Sequence, residues 1–544
     1  MTRRPQFERK TRRVPRPLLP RWFALLSLVG AVLGSSGCIT SGVSDWVHNG
    51  FKVGPNYCKP PAPVAAEWIQ ARDKDVQARH LKDWWTVFQD ETLNTLVRVA
   101  YDQNPTLRVM SARVLEARAQ QGIAAGNLFT QRQQLQGTYL NGTANGHPTW
   151  INLTYFNLNW EIDFWGRIRR GIESANANLD ASVENYDDAL VTLLADVATN
   201  YVQYRIAQQR LKIARANVRI QEDILALVQR QEKVGINKVT MLDVNQARTI
   251  LEQTRATIPS LEITLGQAND TLCTLLGMPP YDLERELGPG PDIDAGPMPI
   301  TPTWVAAGIP ADLLRRRPDV RSAERAVAAQ SAQIGVAEAD FLPTLAIGGI
   351  IGYDSISAFG LPASNGFLGL VNPNFTWKIL QYGRILNNVR YQKARLQELI
   401  ATYQNRVLTA GREAQIPLRG FLRSQKQAAD LARSVDAARA ALRIGQDQYR
   451  VGTIPFNTVF NLATAQVQQQ DQLAVARGSI ALSLINVYRA LGGGWEIRLQ
   501  DGNCPPSPPA SLPAATQTPV PADKEQLPPA RPLESKEPSS GDRS

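Results

Sequence analysis

Asn159 Trp160 Glu161 Ile162 Asp163 Phe164 Trp165 Gly166 Arg167 Ile168 Arg169 Arg170 is the stretch where a two-residue alternation gives way to a helical period. From Phe156 to Phe164 the even positions Phe156, Leu158, Trp160, Ile162 and Phe164 are apolar, while Asn157, Asn159, Glu161 and Asp163 are polar. That is a strand with one greasy and one wet face. Beyond Gly166 the next proline is Pro259, and apolar residues recur at helical spacing. A strand therefore feeds directly into a long helix.

The junction occurs twice. Trp160, Gly166 and Arg167 match Trp377, Gly383 and Arg384, each 217 residues on. Upstream, Asn104 Pro105 matches Arg317 Pro318, and Gly122 matches Gly335, both at an offset of 213. Downstream, Lys233 Val234 Gly235 matches Arg450 Val451 Gly452, again at 217. Matched blocks in one order mean an internal duplication of roughly two hundred residues, too long a period for a small-repeat solenoid.

The formal charge of +10 is concentrated at the amino terminus. Residues 1–37 hold eight Lys or Arg and one acidic residue, Glu8, so the rest carries only +3. The basicity therefore gives no support to nucleic-acid binding. The order of those residues is that of a secretory signal: basic, then apolar from Trp22 to Leu33, then Gly34 Ser35 Ser36 Gly37 before Cys38. Of the other cysteines, Cys273 sits in a helical pattern as a small buried residue, and Cys58 and Cys504 flank the repeats, where a disulfide between them is an open option.

Residues 38–82 read as an extended, proline-rich linker, 83–300 as the first repeat, 301–495 as the second, and 496–544 as a Pro-rich disordered tail. Helix is expected from near Asp83, with Trp84 and Trp85 in the core, and again from Leu107 to Phe129. Strands are expected around Arg132 to Leu140, Ile151 to Phe164, Thr344 to Tyr353 and Phe375 to Leu380, with turn-rich segments between. Four strands with a lipid-facing side leave open edges that hydrocarbon does not tolerate, so transmembrane strands require several chains to close one barrel. The runs Gly166 to Lys233 and Gly383 to Arg450 are roughly 100 Å rods, and the shorter helices stack into antiparallel companions of similar length. Leu190, Leu194, Val197, Tyr201, Tyr204 and Leu211 form a coiled-coil seam interrupted by Gln208. The carboxylates read as lying on solvated faces, as at Glu222 and Asp223. Gly492 Gly493 Gly494 is a helix terminator. His48, His80 and His147 are scattered, and no HExxH, CxxC or GxSxG spacing appears, so no enzyme, metal site or cofactor is expected.

Val53 Gly54 Pro55 Asn56 Tyr57, Trp84 Trp85, Asn104 Pro105, Trp160 Glu161 Ile162 Asp163 with Gly166 Arg167, Leu313 Leu314 Arg315 Arg316 Arg317 Pro318 Asp319 Val320, and Gly383 Arg384 together resemble the TolC-like outer-membrane efflux family. The match is to its lipoprotein branch, the OprM/NodT type that serves resistance-nodulation-division pumps. The resemblance implies a mixed, mostly α chain. Three copies would form a homotrimer with a 12-strand β-barrel in the outer membrane, continued by an α-helical tunnel in the periplasm. It implies a passive exit duct for small toxic compounds, docked to a periplasmic adaptor and an inner-membrane pump. Ser36 Gly37 Cys38 resembles a lipobox, which implies acylation of Cys38, and Ile39 after it favours the outer membrane. In the family, aspartates and a Tyr/Arg network close the tunnel at the rod-joining turns. Asp243 and Tyr449 keep two of those positions, whereas Ile454, Thr458 and Asn461 replace an arginine and two acids. Pro417 is expected to kink the second long rod unless a neighbour repairs the lost hydrogen bond. A type I secretion channel and a non-conducting structural envelope lipoprotein are the alternatives.

Overall fold

Strand gives way to helix at Gly166 and Gly383 because each adopts a left-handed conformation, with φ of 78° and 81°, as the residue that caps a long rod. The structure is a computed structural model, which describes residues 46–69, 76–77, 81–144, 147–235, 239–288, 298–306, 310–358 and 361–499. Cys38, His80 and Cys504 lie outside the described residues, as do the signal segment and nearly all of the tail.

The first repeat consists of α1 (Glu91–Gln103), α2 (Pro105–Gly126), β1 (Arg132–Ala144), β2 (His147–Ile162), α3 (Arg167–Val234) and α4 (Met241–Leu275). The second supplies α5 (Pro318–Ala339), β3 (Thr344–Ala358), β4 (Leu361–Thr376), α6 (Arg384–Arg450) and α7 (Phe456–Ala490). Asn104 ends α1 and caps α2, its Oδ1 accepting the N–H groups of Thr106 and Leu107 at 2.8 and 3.2 Å, while Pro105 takes the first helical position. The rods α3 and α6 are 68 and 67 residues long, and the returning helices α4 and α7 are 35 each. Among the described residues, no helix is long and apolar enough to cross a membrane.

The four long strands form one antiparallel sheet in the order β1-β2-β3-β4, with Asn159 opposite both Arg132 and Gly348. Among the described residues, the outer sides of β1 and β4 are unpaired. The strands are longer than the sequence suggested, running to Ala144 and from His147 in one hairpin, and to Ala358 and from Leu361 in the other. The expected strand Phe375 to Leu380 is a correction: β4 ends at Thr376, opposite Thr344, the first residue of β3. In β2, Glu161 and Ile162 stay in the sheet because Ala346 and Leu345 flank them, but β4 has no strand on the corresponding side.

Helix packing runs in a definite order. α3 packs on α1, α2, α4, α5 and α7, whereas α6 packs on α5, α7 and the short helix Leu313–Arg316, with Gln404 and Gln415 reaching Pro61 and Ile69. The seam residues Leu190, Leu194, Val197, Tyr201, Tyr204 and Leu211 are all buried, and Gln208 accepts a hydrogen bond from Arg205 at 2.8 Å. Trp84 and Trp85 are buried, with Trp84 stacked on Tyr488 at 5.4 Å between ring centres. They lie in a 3-10 turn, Trp84–Phe88, that precedes α1. The glycines after α7 pack there too: a Cβ on Gly494 would lie 2.9 Å from Leu194 Cδ1. The packed chain continues into a 3-10 turn, Trp495–Leu499, past the sequence boundary at 495, because Arg498 donates to buried Asp187 at 2.5 and 3.0 Å. α6 runs as one helix, Arg384–Arg450, through Pro417. Its neighbours Ala414, Leu418 and Phe421 are buried, so tertiary packing holds the helix across the lost backbone donor.

Candidate functional site

The first strand-to-helix junction is built from charged side chains on a short stretch. Asp163 Oδ1 and Oδ2 accept the N–H groups of Ile168 and Arg169, both at 2.9 Å, supplying the cap that Gly166 has no side chain to make. Glu161 receives Arg167 at 2.7 Å on both oxygens. Arg169 and Arg170 turn outward to hold residues 50–56. Arg169 donates to the carbonyls of Gly50 and Phe51 at 2.8 and 2.9 Å, and Arg170 to those of Val53 and Gly54 at 3.0 and 2.9 Å. Trp46 adds rings of Phe51, Phe164 and Trp165, all within 5.4 Å. The expected linker is thus a strap bound across both repeats. Gly54 meets Gly335 backbone, and Tyr57 and Lys59 reach Glu324 at 3.1 and 2.7 Å. Cys58, within it, is exposed and free.

The second junction lacks this strap. Leu386 and Asn387 stand where Arg169 and Arg170 do, and Ile379, Leu380 and Tyr382 are exposed. The two junctions nevertheless share one contact. Trp160 Nε1 donates to Leu128 O at 3.3 Å, and Trp377 Nε1 to Phe341 O at 2.9 Å.

Midway along the rods lies a cluster that sequence reasoning quoted only as a family motif. Buried Arg317 donates to both oxygens of Asp319 at 2.9 and 2.7 Å, to Glu413 at 2.7 Å and to the carbonyl of Ala490 at 2.9 Å. Arg406 adds a contact to Asp319 at 2.8 Å. Burial alone would raise the Asp319 carboxyl, but the hydrogen bonds and charge of Arg317, with Arg406 beside it, outweigh it and hold the pKa below the usual value. Asn104, the equivalent of Arg317, reaches the carbonyl of Leu275 at 2.8 Å. Both repeats thus tie a helix start to the end of the returning helix. The carboxylates divide by environment: Glu222 and Asp223 are exposed as expected, but Glu184, Asp187 and Asp319 are buried, as is Arg205. Arg205 donates to Tyr201 Oη at 3.0 Å, and Tyr201 donates to Asp90 at 2.6 Å. Buried charges scattered among apolar positions leave no periodic signal, which is why the sequence hid them.

At the opposite end from the sheet, the ends of both rods and the starts of the returning helices meet in one apolar cluster. Ile224, Val228, Val244, Ala247, Leu442, Tyr449, Phe456 and Val459 come from four helices and pack together. Asp243 is not a bare carboxylate here: its Oδ2 accepts the N–H and hydroxyl of Thr240 at 2.8 and 3.0 Å, closing the start of α4. Tyr449 packs edge-on against Phe456 at 5.6 Å. Burial, and then the charge of Asp243, push its hydroxyl pKa up to about 12. Ile454 packs onto the cluster, while Thr458 and Asn461 lie exposed on α7. The structure therefore gathers Asp243, Tyr449 and Ile454, and leaves Thr458 and Asn461 on the surface.

A duplicated strand-pair and long-rod architecture with exposed apolar residues such as Leu135, Tyr139, Phe367 and Phe375 on its sheet defines a class of envelope channels. The pattern of the outer membrane efflux protein family matches residues 96–278 and 309–493, one match per repeat. The pyoverdine export outer membrane protein OpmQ of Pseudomonas putida is 29% identical, over 81% of this chain and 95% of that one. Nodulation protein T of Rhizobium leguminosarum bv. viciae is 29% identical, over 81% and 90%. Among solved structures, the outer-membrane channel OprN superposes with a TM-score of 0.73 at 31% identity, covering 82% of this chain and 99% of OprN. The chain belongs to the outer membrane efflux protein family, and its location is the outer membrane.

Proposed function

We propose that the protein is the passive exit duct of a tripartite efflux system. Three copies close a 12-strand barrel, and their rods enclose a tunnel that receives small toxic compounds from a periplasmic adaptor and an inner-membrane pump. The observation that carries this reading is the four-stranded sheet with both outer edges unpaired, continued at once into rods of 68 and 67 residues. Exposed edges within hydrocarbon require further copies, and polar rods belong in water. Similarity to proteins named for pyoverdine export, toluene efflux and antibiotic efflux supports a small-molecule client over a protein client. The duct catalyses no reaction and needs no cofactor; energy comes from the pump. Cys38 carries the lipid that anchors the chain, in keeping with a relative named as a probable outer membrane lipoprotein. Asp243 and Tyr449 form the closed end together with the apolar cluster, and Ile454, Thr458 and Asn461 contribute no charge to it.

Single-channel recording of purified protein in a planar bilayer tests the reading. Discrete openings from a trimeric preparation are the expected result. A trimer that never conducts would leave the structural-lipoprotein alternative standing.

A further inference from the structure

Asp188 and Pro417 line one cavity. Its volume is about 500 Å³, within the range that holds a drug-sized molecule, and it lies where α3, α6, the start of α5 and the end of α7 meet. The strap reaches Gln404 and Gln415 of α6, whereas the cavity takes Arg406, Glu413 and Pro417. Helix residues two apart point roughly 200° from each other, so the cavity opens on the side of α6 turned away from the strap. In the duct reading the strap runs outside the wall, from the lipid on Cys38, and the cavity therefore faces the bore. Ile416, 64% exposed, stands at its mouth.

The charges around the cavity do not balance. Arg317 is held by Asp319 and Glu413, Arg406 by Asp319, and Arg489 by Asp196 at 3.1 Å. Asp188 is half-buried and forms no hydrogen bond or ion pair among the described residues. Four carboxylates thus share three guanidinium groups, and Asp188 is the one left over. Burial, and then the charge of Asp319, raise its carboxyl pKa in spite of Arg406, Arg317 and Arg489, so a cation placed beside it would stabilise the ionised form. Pro417 adds a second acceptor. It lacks the N–H that another residue would give to the carbonyl of Glu413, four positions earlier on the same wall. Val191, Ile416 and Ala490 supply apolar surface next to these groups. We propose that the cavity is a subsite for a hydrophobic organic cation. A protonated amine would donate to Asp188 and to the Glu413 carbonyl while its apolar part lies on Ile416 and Pro417. This rests on the duct reading above and narrows its class of client. Binding is weak, because a conduit must release what it admits.

Fluorescence titration of the full-length protein in non-ionic detergent, read against protein-free micelles, tests this with three dansyl probes. Dansylcadaverine carries an ammonium, dansylamide is neutral and dansylglycine carries a carboxylate. Dansylcadaverine should bind tightest of the three. Asp188→Asn should weaken it about tenfold, the effect of one lost charged contact, and leave dansylamide unchanged. The fold accepts asparagine there, since Asn405 holds the equivalent position of the second repeat. Asp188→Glu keeps the charge and should keep most of the binding, which separates loss of charge from misfolding. Pro417→Ala returns a donor to the Glu413 carbonyl and should weaken dansylcadaverine severalfold. Equal affinity for the three probes overturns the subsite. So does equal dansylcadaverine affinity in wild type and Asp188→Asn, or equal loss in Asp188→Asn and Asp188→Glu. Planar-bilayer recording of the same preparations separates this from the duct reading. A conducting trimer that does not select the amine loses only the subsite, whereas a wild-type protein that binds it through Asp188 yet never conducts keeps the site and defeats the duct.

Discussion

Gly54 and Gly335 touch backbone to backbone: a Cβ on Gly54 would lie 2.4 Å from Gly335 Cα, and one on Gly335 would lie 2.7 Å from Val53 O. The strap can bind α5 only because neither residue has a side chain. Gly335→Ala should therefore lift the strap and cost about 1–3 kcal/mol as an overpacking change. Its partner in the duplication, Gly122, has nothing within 4 Å, so Gly122→Ala should be neutral or slightly stabilising. Thermal melts with limited proteolysis at residues 50–60 would separate the two; equal melts contradict the strap's role.

The junction glycines should differ in the same way. Both need positive φ, which costs about 1 kcal/mol or more for a residue with a Cβ. Gly166 also abuts Lys52, whose Cα would lie 2.7 Å from a new Cβ, whereas Gly383 meets only Asn387 at 3.6 Å. Gly166→Ala should reduce the yield of folded trimer more than Gly383→Ala, as read by gel filtration.

Arg317→Ala leaves Asp319 buried without its main partner, and a loss of about 3–5 kcal/mol is expected from breaking a buried pair. The pH dependence follows from the lowered pKa of Asp319. Its contribution to stability is full above the unfolded value of 3.8 and is lost as pH falls through the lower folded value. Wild-type stability should thus fall steeply in that acid range, and the Arg317→Ala variant should show a flatter acid limb in melts followed by circular dichroism.

At the closed end, Asp243→Ala removes both a helix-start acceptor and the carboxylate whose charge acts on Tyr449. Loss of the cap should cost about 0.5–2 kcal/mol locally. In bilayer recordings the same variant should alter cation selectivity and divalent-ion block well beyond Thr458→Ala or Asn461→Ala. Parity among the three would refute a gate centred on Asp243.

Acylation at Cys38 has a direct readout. Mass spectrometry of the mature protein should find a lipid-modified Cys38 at the amino terminus, and Cys38→Ala should retain the barrel and trimer while losing the modification.

Local pattern and duplication are what the sequence by itself determined. The alternation from Phe156 to Ile162, the unbroken period after Gly166 and the matched offsets suffice for strands, rods and a two-fold repeat, because periodicity records which face of an element is buried. Hairpin lengths were less legible: Gly, Ser and Asn inside β3 and β4 resemble turn residues, yet ladder pairing keeps them extended.

Only the tertiary structure decided where β4 ends, because strand length there depends on a neighbour that β4 lacks within the chain. It alone decided that residues 50–59 are a bound strap, since an extended segment has no periodicity to announce its partner. It also placed Arg205, Asp187 and the Arg317–Asp319 pair in the interior, where charges are tolerated through specific hydrogen bonds and not through any spacing visible along the chain.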